Sequence, residues 1–139
     1  MDERIVKFLK KMHLASVCAI DDDGQPYAFS AFYAFDELNF TLLLASSDES
    51  SHVKFLKNSK LVAGTVALDT KIVGKIEGVQ FQGAMREASE SEREIYFKRF
   101  FYAKAMNPKI WSISLEKVKF TSNTLGFGKK IKWERGDKI

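Results

Sequence analysis

Apolar positions in the first 45 residues change from helical to strand spacing. In residues 2–12, apolar side chains recur every three or four positions, at Ile5, Phe8, Leu9 and Met12. This spacing predicts an amphipathic helix with one face on the core. Short apolar runs separated by turn residues then predict three strands: Leu14–Ile20, Tyr27–Phe35 and Asn39–Ala45.

The rest of the chain repeats both patterns. Short helical spacing at His52–Lys57 is followed by two predicted strands, Leu61–Leu68 and Glu77–Glu87. Ser89 and Glu92 fit a capping box, which predicts a helix that runs to about Ala105 before Asn107-Pro108 stops it. Alternation at residues 111–120, and a last run at residues 129–133, predict two more strands.

Most strands are joined by connections of hairpin length, so the sheet should be mainly antiparallel. About six strands with helices in the gaps predict a mainly β fold, a small barrel with α-helical additions. Gly64 lies inside a predicted strand and indicates a bulge or a close backbone approach. A chain of 139 residues has the length of one domain, residues 1–139.

Composition indicates the cellular compartment of the protein. No apolar stretch reaches the roughly 18 residues expected of a membrane-spanning helix, so we expect no membrane partner. Met1 leads directly into Asp2, Glu3 and Arg4, unlike a secretory signal. The one cysteine, Cys18, cannot form an internal disulfide. These features favour a cytoplasmic protein.

Positive charge is concentrated near the C-terminus. The chain has a net charge of +4, and residues 117–138 alone hold seven basic and two acidic side chains. Such a field attracts phosphate, a nucleotide or nucleic acid, although a solvated basic tail is equally compatible. A non-enzymatic module that binds nucleic acid therefore stays open, but no recognised motif supports it.

A serine cluster precedes the predicted short helix. Four serines lie at positions 46, 47, 50 and 51, next to His52. Hydroxyls beside the free amides of a helix start can hold a phosphate dianion, and Asp48 and Glu49 would oppose this unless they face solvent. Simple helix capping by Ser or Asp is the alternative interpretation.

The C-terminal loop is the second candidate for ligand binding. Gly126 and Gly128 flank Phe127, and Lys129 and Lys130 follow at once. This loop could clamp a planar anionic ligand, or could be a glycine-rich hairpin beside a solvated edge strand. The chain has no Rossmann, P-loop or nucleophile-elbow motif, and the two histidines lack metal-ligand spacing.

Three segments resemble a small uncharacterised bacterial family related to the pyridoxamine 5′-phosphate oxidase superfamily of FMN-binding split barrels. They are Gly64-Thr65-Val66, Gly78-Val-Gln-Phe-Gln-Gly83 and residues 119–130. The resemblance spans nearly the whole chain, and the C-terminal motif is the most specific part. It implies a six-stranded antiparallel split barrel and a homodimer with FMN in two interface clefts.

The resemblance also implies where FMN would bind. Its phosphate would lie at the end of the third strand and the start of the next helix, at positions Ser46, Ser47, Ser51 and His52. The flavin ring would lie along Ser30, Ala31 and Phe32, and the partner subunit would contribute Gln80 and the loop up to Lys129 and Lys130.

Departures from the oxidase pattern limit what the resemblance implies. The basic pair of the second strand is replaced by Ser30 and Phe35, and the Arg-Lys pair of the helix by Ser51 and His52. Fewer cations imply weaker FMN binding or another ligand, and the pyridoxamine phosphate motif is absent. We expect an FMN-dependent oxidoreductase with an unknown small-molecule or protein redox partner; a haem-binding split barrel with His13 or His52 as axial ligand is the alternative.

Overall fold

The computed structural model describes residues 1–136, so the last two residues of the predicted basic stretch lie outside it. Three α-helices are present: α1 (Glu3–Lys11), α2 (Ser51–Phe55) and α3 (Glu90–Arg99). The seven strands are β1 (Leu14–Ile20), β2 (Pro26–Asp36), β3 (Thr41–Ala45), β4 (Leu61–Ala67), β5 (Glu77–Glu87), β6 (Ile110–Ser122) and β7 (Lys129–Glu134). No helix among residues 1–136 has the length and apolar character needed to cross a bilayer.

The strands form an antiparallel barrel. Their order is β3-β2-β1-β4-β5-β6-β7, and β3 also pairs with β6. This last pairing closes β1 to β6 into a six-stranded ring and leaves β7 as an additional strand. The predicted mainly β fold, a six-stranded antiparallel barrel with α-helical additions, is therefore confirmed.

Strand β6 holds the ring together because it pairs with three other strands. Its first residues, Ile110 to Ser114, pair with β3, and its last residues, Lys117 to Ser122, pair with β7. Along its other edge it pairs with β5, with a register shift at Gln82/Gly83. A Cβ on Gly83 would collide with the Ser114 carbonyl oxygen, so only glycine fits this bulge.

The predicted close approach at Gly64 is also present. A Cβ there would collide with the Ser16 carbonyl oxygen and the Phe81 ring. Alternation places Val17, Val66 and Phe81 inside the barrel. Helix α1 closes one end with Ile5, Phe8 and Leu9, and the Tyr33 hydroxyl donates a 2.7 Å hydrogen bond to the Leu9 carbonyl oxygen.

Helix α3 is shorter than predicted. It ends at Arg99 because Phe100 leaves helical geometry (φ −120°, ψ 56°), and a 3₁₀ segment, Phe101–Met106, continues the chain. Tyr96, Phe97 and Phe100 fill a second apolar cluster outside the barrel. Phe101 and Tyr102 are 75% and 69% exposed.

Glu92 fastens the start of α3 to the sheet. The capping box predicted at Ser89 is present, and the buried Glu92 carboxylate also accepts hydrogen bonds from Arg86 on β5 and Ser112 on β6. Burial alone would raise the pKa of Glu92, but the hydrogen bonds from Arg86, Ser89 and Ser112 outweigh it and lower the pKa to about 2.

Replacing Glu92 should therefore cost stability in a pH-dependent way. We expect Glu92→Gln to lower the free energy of unfolding at pH 7 by about 2 kcal/mol, less than for a fully buried pair because Arg86 is half exposed. Because the folded pKa lies below the ordinary 4.5, this contribution is present above pH 4.5 and is lost as the pH falls towards 2. Urea unfolding at several pH values measures it, with the exposed Glu90→Gln as control. An equal loss at pH 7 and pH 2 would contradict this account.

Candidate functional site

The predicted phosphate site is a corner formed by the loop between β3 and α2, residues 46–52. Ser46 is fixed by three hydrogen bonds. Its amide donates to the Lys109 carbonyl oxygen (3.1 Å), its carbonyl oxygen accepts from Trp111 Nε1 (3.0 Å), and its Oγ lies 2.8 Å from His52 Nε2. The start of β6 therefore holds this corner in place.

His52 is packed more tightly than an exposed loop residue. Its ring stacks on Phe29 of β2, with the centroids 3.6 Å apart and the planes 10° from parallel. Burial lowers the pKa of His52 below its ordinary value of 6.5, so the ring is neutral at pH 7. His52 can therefore offer an anion a hydrogen bond but no charge.

The other serines keep hydrogen-bonding capacity. Ser47 Oγ accepts from the Glu49 amide at 3.1 Å, which leaves its own proton available. Ser51 is exposed, and its hydroxyl has no hydrogen-bond partner among residues 1–136. At the helix start, the Ser50 side chain makes no capping hydrogen bond.

Acidic side chains near the corner are partly neutralised. Lys109 Nζ lies 2.8 Å from Asp48 Oδ1 and 2.9 Å from Glu87 Oε1. Asp48 therefore points to a lysine in solvent, as the phosphate hypothesis requires, but Lys109 is engaged with two carboxylates. An anion in this corner would be held by hydroxyl groups more than by cations.

The corner adjoins a strand edge that no other strand occupies. Strand β3 pairs only with residues 33–36 of β2, so no strand within residues 1–136 lies on that side of residues 26–32. The Tyr33 amide donates to the His13 carbonyl oxygen on the β1 side, and alternation therefore turns the Ser30 amide towards the open side. Ala31 is half-buried with its side chain on the core, and Phe32 is 53% exposed on the outer face.

Gln80 lies elsewhere, on the outer face of the barrel. Cross-strand pairing aligns six outward positions in one row, in the order Ser30, Ser16, Thr65, Gln80, Lys119, Lys132. Part of this row lines a groove of about 600 Å³ across β1, β4, β5, β6 and β7. Gln80 is three strands from Ser30, so within one protomer it does not reach the serine corner.

Lys129 begins β7 after a loop that is fixed by Asn123. The Asn123 side chain donates to the Val73 carbonyl oxygen (2.8 Å) and accepts from the Gly128 amide (2.9 Å). Lys129 and Lys130 are exposed, and Phe127 is 78% exposed at the loop tip. The loop is therefore anchored at its base and presents an aromatic ring and two cations to solvent.

The structure thus divides the predicted site residues into two groups. Ser46, Ser47, Ser51 and His52 form one corner beside Phe29 and Ser30. Gln80 lies on the outer face, and Lys129 begins β7 opposite the buried Ser122. Sequence reasoning missed the stacking partner Phe29, the anchors Lys109 and Trp111, and the loop anchor Asn123, because each acts through a contact distant in sequence.

Comparison with solved structures defines the class of protein. The chain matches a haem-binding protein from Mycobacterium smegmatis with a TM-score of 0.72 at 14% identity, over 88% of this chain and 53% of the other, so it spans about half that protein's length. An FAD-binding protein from Mesorhizobium loti gives a TM-score of 0.70 at 15% identity, over 86% and 93%. The fold is the split barrel of flavin- and haem-binding proteins.

Sequence comparison then gives the family. UPF0306 protein YhbP from Salmonella paratyphi A is 38% identical over 135 residues, which cover 94% of this chain and 91% of YhbP. The chain belongs to the UPF0306 family, as the resemblance predicted. No protein-family model matches the chain.

The half-buried, neutral His52 should make stability depend on pH. Because its folded pKa lies below the ordinary 6.5, the unfolded chain binds the proton more tightly, so acidification through and below pH 6.5 should lower the free energy of unfolding. We expect His52→Gln, which cannot take up this proton, to show a smaller decline between pH 7 and pH 5 by urea unfolding. The conservative Lys54→Gln on the same helix serves as control, and identical slopes in wild type and His52→Gln would refute this.

Proposed function

We propose that the protein binds FMN and uses it as an oxidoreductase, with the cofactor at the interface of a homodimer. The observation that carries this proposal is the position of the serine corner. Ser46, Ser47, Ser51 and His52 lie together beside residues 26–32 of β2, which pair with β1 on one side but not with β3 on the other. Hydroxyl groups and an unpaired strand edge therefore face one region. Structural likeness to an FAD-binding split barrel supports it.

The residues of the corner fit a phosphate ester. Ser47 and Ser51 each have a hydroxyl proton to donate, and Ser46 and His52 are held in position by each other and by Phe29. The Ser30 amide on the open edge of β2 is suited to a polar ring atom. The corner lacks the cations of the oxidase pattern, so we expect moderate affinity and a phosphate held mainly by neutral donors.

A second copy of the chain would complete the site. Gln80 and Lys129 lie too far across the barrel to join Ser30 from the same protomer. The central outward positions of β1, β2 and β4 are small, namely Ser16, Cys18, Ala28, Ala63 and Thr65, so another sheet could approach closely. In such a dimer Gln80 and Lys129 of one protomer would face the corner of its partner.

Bound FMN would supply hydride or electron transfer. The protein's own contribution would be orientation, exclusion of water and charge. The exposed amines of Lys129 and Lys130 would place positive charge near the ring and favour its reduced, anionic form. The Ser30 amide and the Gln80 side chain would orient the ring through hydrogen bonds.

A haem-binding split barrel is the second candidate. Structural neighbours include HutZ, the haem storage protein from Vibrio cholerae, at a TM-score of 0.65 and 14% identity over 83% of this chain and 89% of HutZ. His13 supports this candidate because it is exposed, with its ring 5.6 Å from the Phe32 ring. His52 supports it less, because its Nε2 is engaged by Ser46.

The FMN site can be tested by removing its two available hydroxyls. We expect purified protein to bind added FMN, and Ser47→Ala with Ser51→Ala to weaken binding by about 1–3 kcal/mol, the loss expected for hydrogen bonds to a charged group. Calorimetry measures the affinity, and Ser91→Ala, an exposed serine on α3, is the control.

Two results would contradict the FMN proposal. One is no FMN binding at about 100 μM, well above ordinary cofactor dissociation constants. The other is a Soret shift on hemin titration that His13→Ala abolishes, together with FMN binding that the serine changes do not affect. The second result would favour haem.

The dimer can be tested by enlarging a side chain in the middle of the small-residue face. We expect wild-type protein to elute with the mass of two chains in light scattering, and Thr65→Arg to elute as one chain and to bind FMN more weakly. Gln25→Arg adds the same side chain at an exposed turn and should stay dimeric. A monomeric wild type, or an unaffected Thr65→Arg, would exclude an interface on this face.

A further inference from the structure

In the described part of the chain, two lysines face each other across β6 and β7 and form no ion pair. Lys119 and Lys132 are directly opposite in the strand register. Like charges in this arrangement destabilise a sheet. Among residues 1–136 neither lysine forms an ion pair.

The neighbouring outward pair on the same two strands has opposite charges, which is the usual arrangement. There Lys117 is opposite Glu134, and Lys117 Nζ lies 3.9 Å from Glu134 Oε1. One outward pair of β6 and β7 therefore joins a lysine to a carboxylate, Lys117 to Glu134. The next outward pair joins two lysines, Lys119 and Lys132. An external anion between Lys119 and Lys132 would remove the repulsion.

The surroundings of the pair can accommodate an organic molecule. Both lysines line the groove of about 600 Å³, a volume within the range of small-molecule sites. Gln80 lies beside Lys119 on β5, and Thr65 lies beside Gln80 on β4. The charged side chains that line the groove are three lysines and one carboxylate: Lys117, Lys119, Lys132 and Glu134.

Small side chains form the floor of the groove. On β1 and β4 they are Ser16, Cys18, Ala63 and Thr65, with the bare backbone of Gly64 between the last two. A flat ring system could lie on this floor while its charged group reaches the lysines at the β6–β7 end. The floor belongs to the small-residue face of the proposed dimer, so in that dimer the ring would lie between the two protomers. Gln80, between the floor and the lysines, can donate its amide protons to the same charged group.

We propose that Lys119 and Lys132, with Gln80, bind the oxyanion of a flat organic ligand, a phosphate or carboxylate whose ring lies on the groove floor. This site is separate from the serine corner and does not require flavin. If FMN binds as proposed above, Gln80 of one protomer faces the partner's cofactor, so the groove ligand would lie beside the ring in the position of a substrate.

Calorimetry with phenyl phosphate, benzoate and inorganic phosphate at low salt tests the site. We expect phenyl phosphate to bind more tightly than inorganic phosphate, because only the former covers the floor, and benzoate shows whether carboxylate is also accepted. Lys119→Gln and Lys132→Gln should each weaken binding about tenfold or more, as for a lost charged hydrogen bond. Lys104→Gln, an exposed lysine far from the groove, should not.

A charge reversal separates lost binding from lost folding. Lys132→Glu places a carboxylate opposite Lys119, so we expect an equal or higher melting temperature together with loss of phenyl phosphate binding. Absence of saturable binding to wild-type protein, or equal affinity in wild type and both glutamine variants, would overturn the proposal. Equal binding of inorganic and phenyl phosphate would overturn the flat-ligand part of it.

Titration in the presence of FMN distinguishes this site from the cofactor site. We expect phenyl phosphate to bind FMN-loaded protein without releasing flavin. Release of flavin would show that the lysine pair holds the cofactor's own phosphate, which would overturn a separate site. If FMN does not bind but phenyl phosphate does, the cofactor proposal fails and the groove proposal stands.

Discussion

Hydrogen bonding of β6 to three strands is the constraint on which the rest of the structure depends. A curled sheet has two edges, and the ring closes only because the first part of β6 pairs with β3 while its other edge pairs with β5. The bulge lies between the part of β6 that pairs with β3 and the part that pairs with β7: Glu116 is the extra residue there, opposite the step from Gln82 to Gly83 on β5. The serine corner depends on this closure, because Lys109 and Trp111 anchor Ser46 where β6 begins.

The two candidate binding regions use different chemistry. At the corner, a neutral histidine and hydroxyl groups offer hydrogen bonds beside Lys109, which is already paired with Asp48 and Glu87. On the outer face, Lys119 and Lys132 lie opposite each other and offer positive charge. The neutral donors of the corner could hold a phosphate ester while the two lysines hold a second anion. The two negative groups would then lie in separate sites and would not repel each other in one pocket.

Much of the fold follows from sequence, and the site follows only in part. Alternation and turn residues define strand ranges well, and Glu77–Glu87 is reproduced as predicted. The helix at α3 was predicted too long because its apolar pattern continues past Phe100, where only tertiary packing ends it. The serine corner is visible in sequence because its members are contiguous. The Lys119–Lys132 pair is not visible in the sequence. Which residues lie opposite each other depends on the strand register, and only the folded sheet defines that register.

The shortness of β3 has a consequence for handling the protein. Because β3 ends at Ala45, no strand among residues 1–136 pairs with the β3 side of β2 at residues 26–32. The rings of Phe55 and His52 on α2 contact only the side chains of Tyr27 and Phe29 there. An uncovered strand edge is a template for strands of other molecules. A ligand or partner bound at this edge of β2 would therefore compete with aggregation through the edge. Concentrated protein should be stored with that ligand or partner bound.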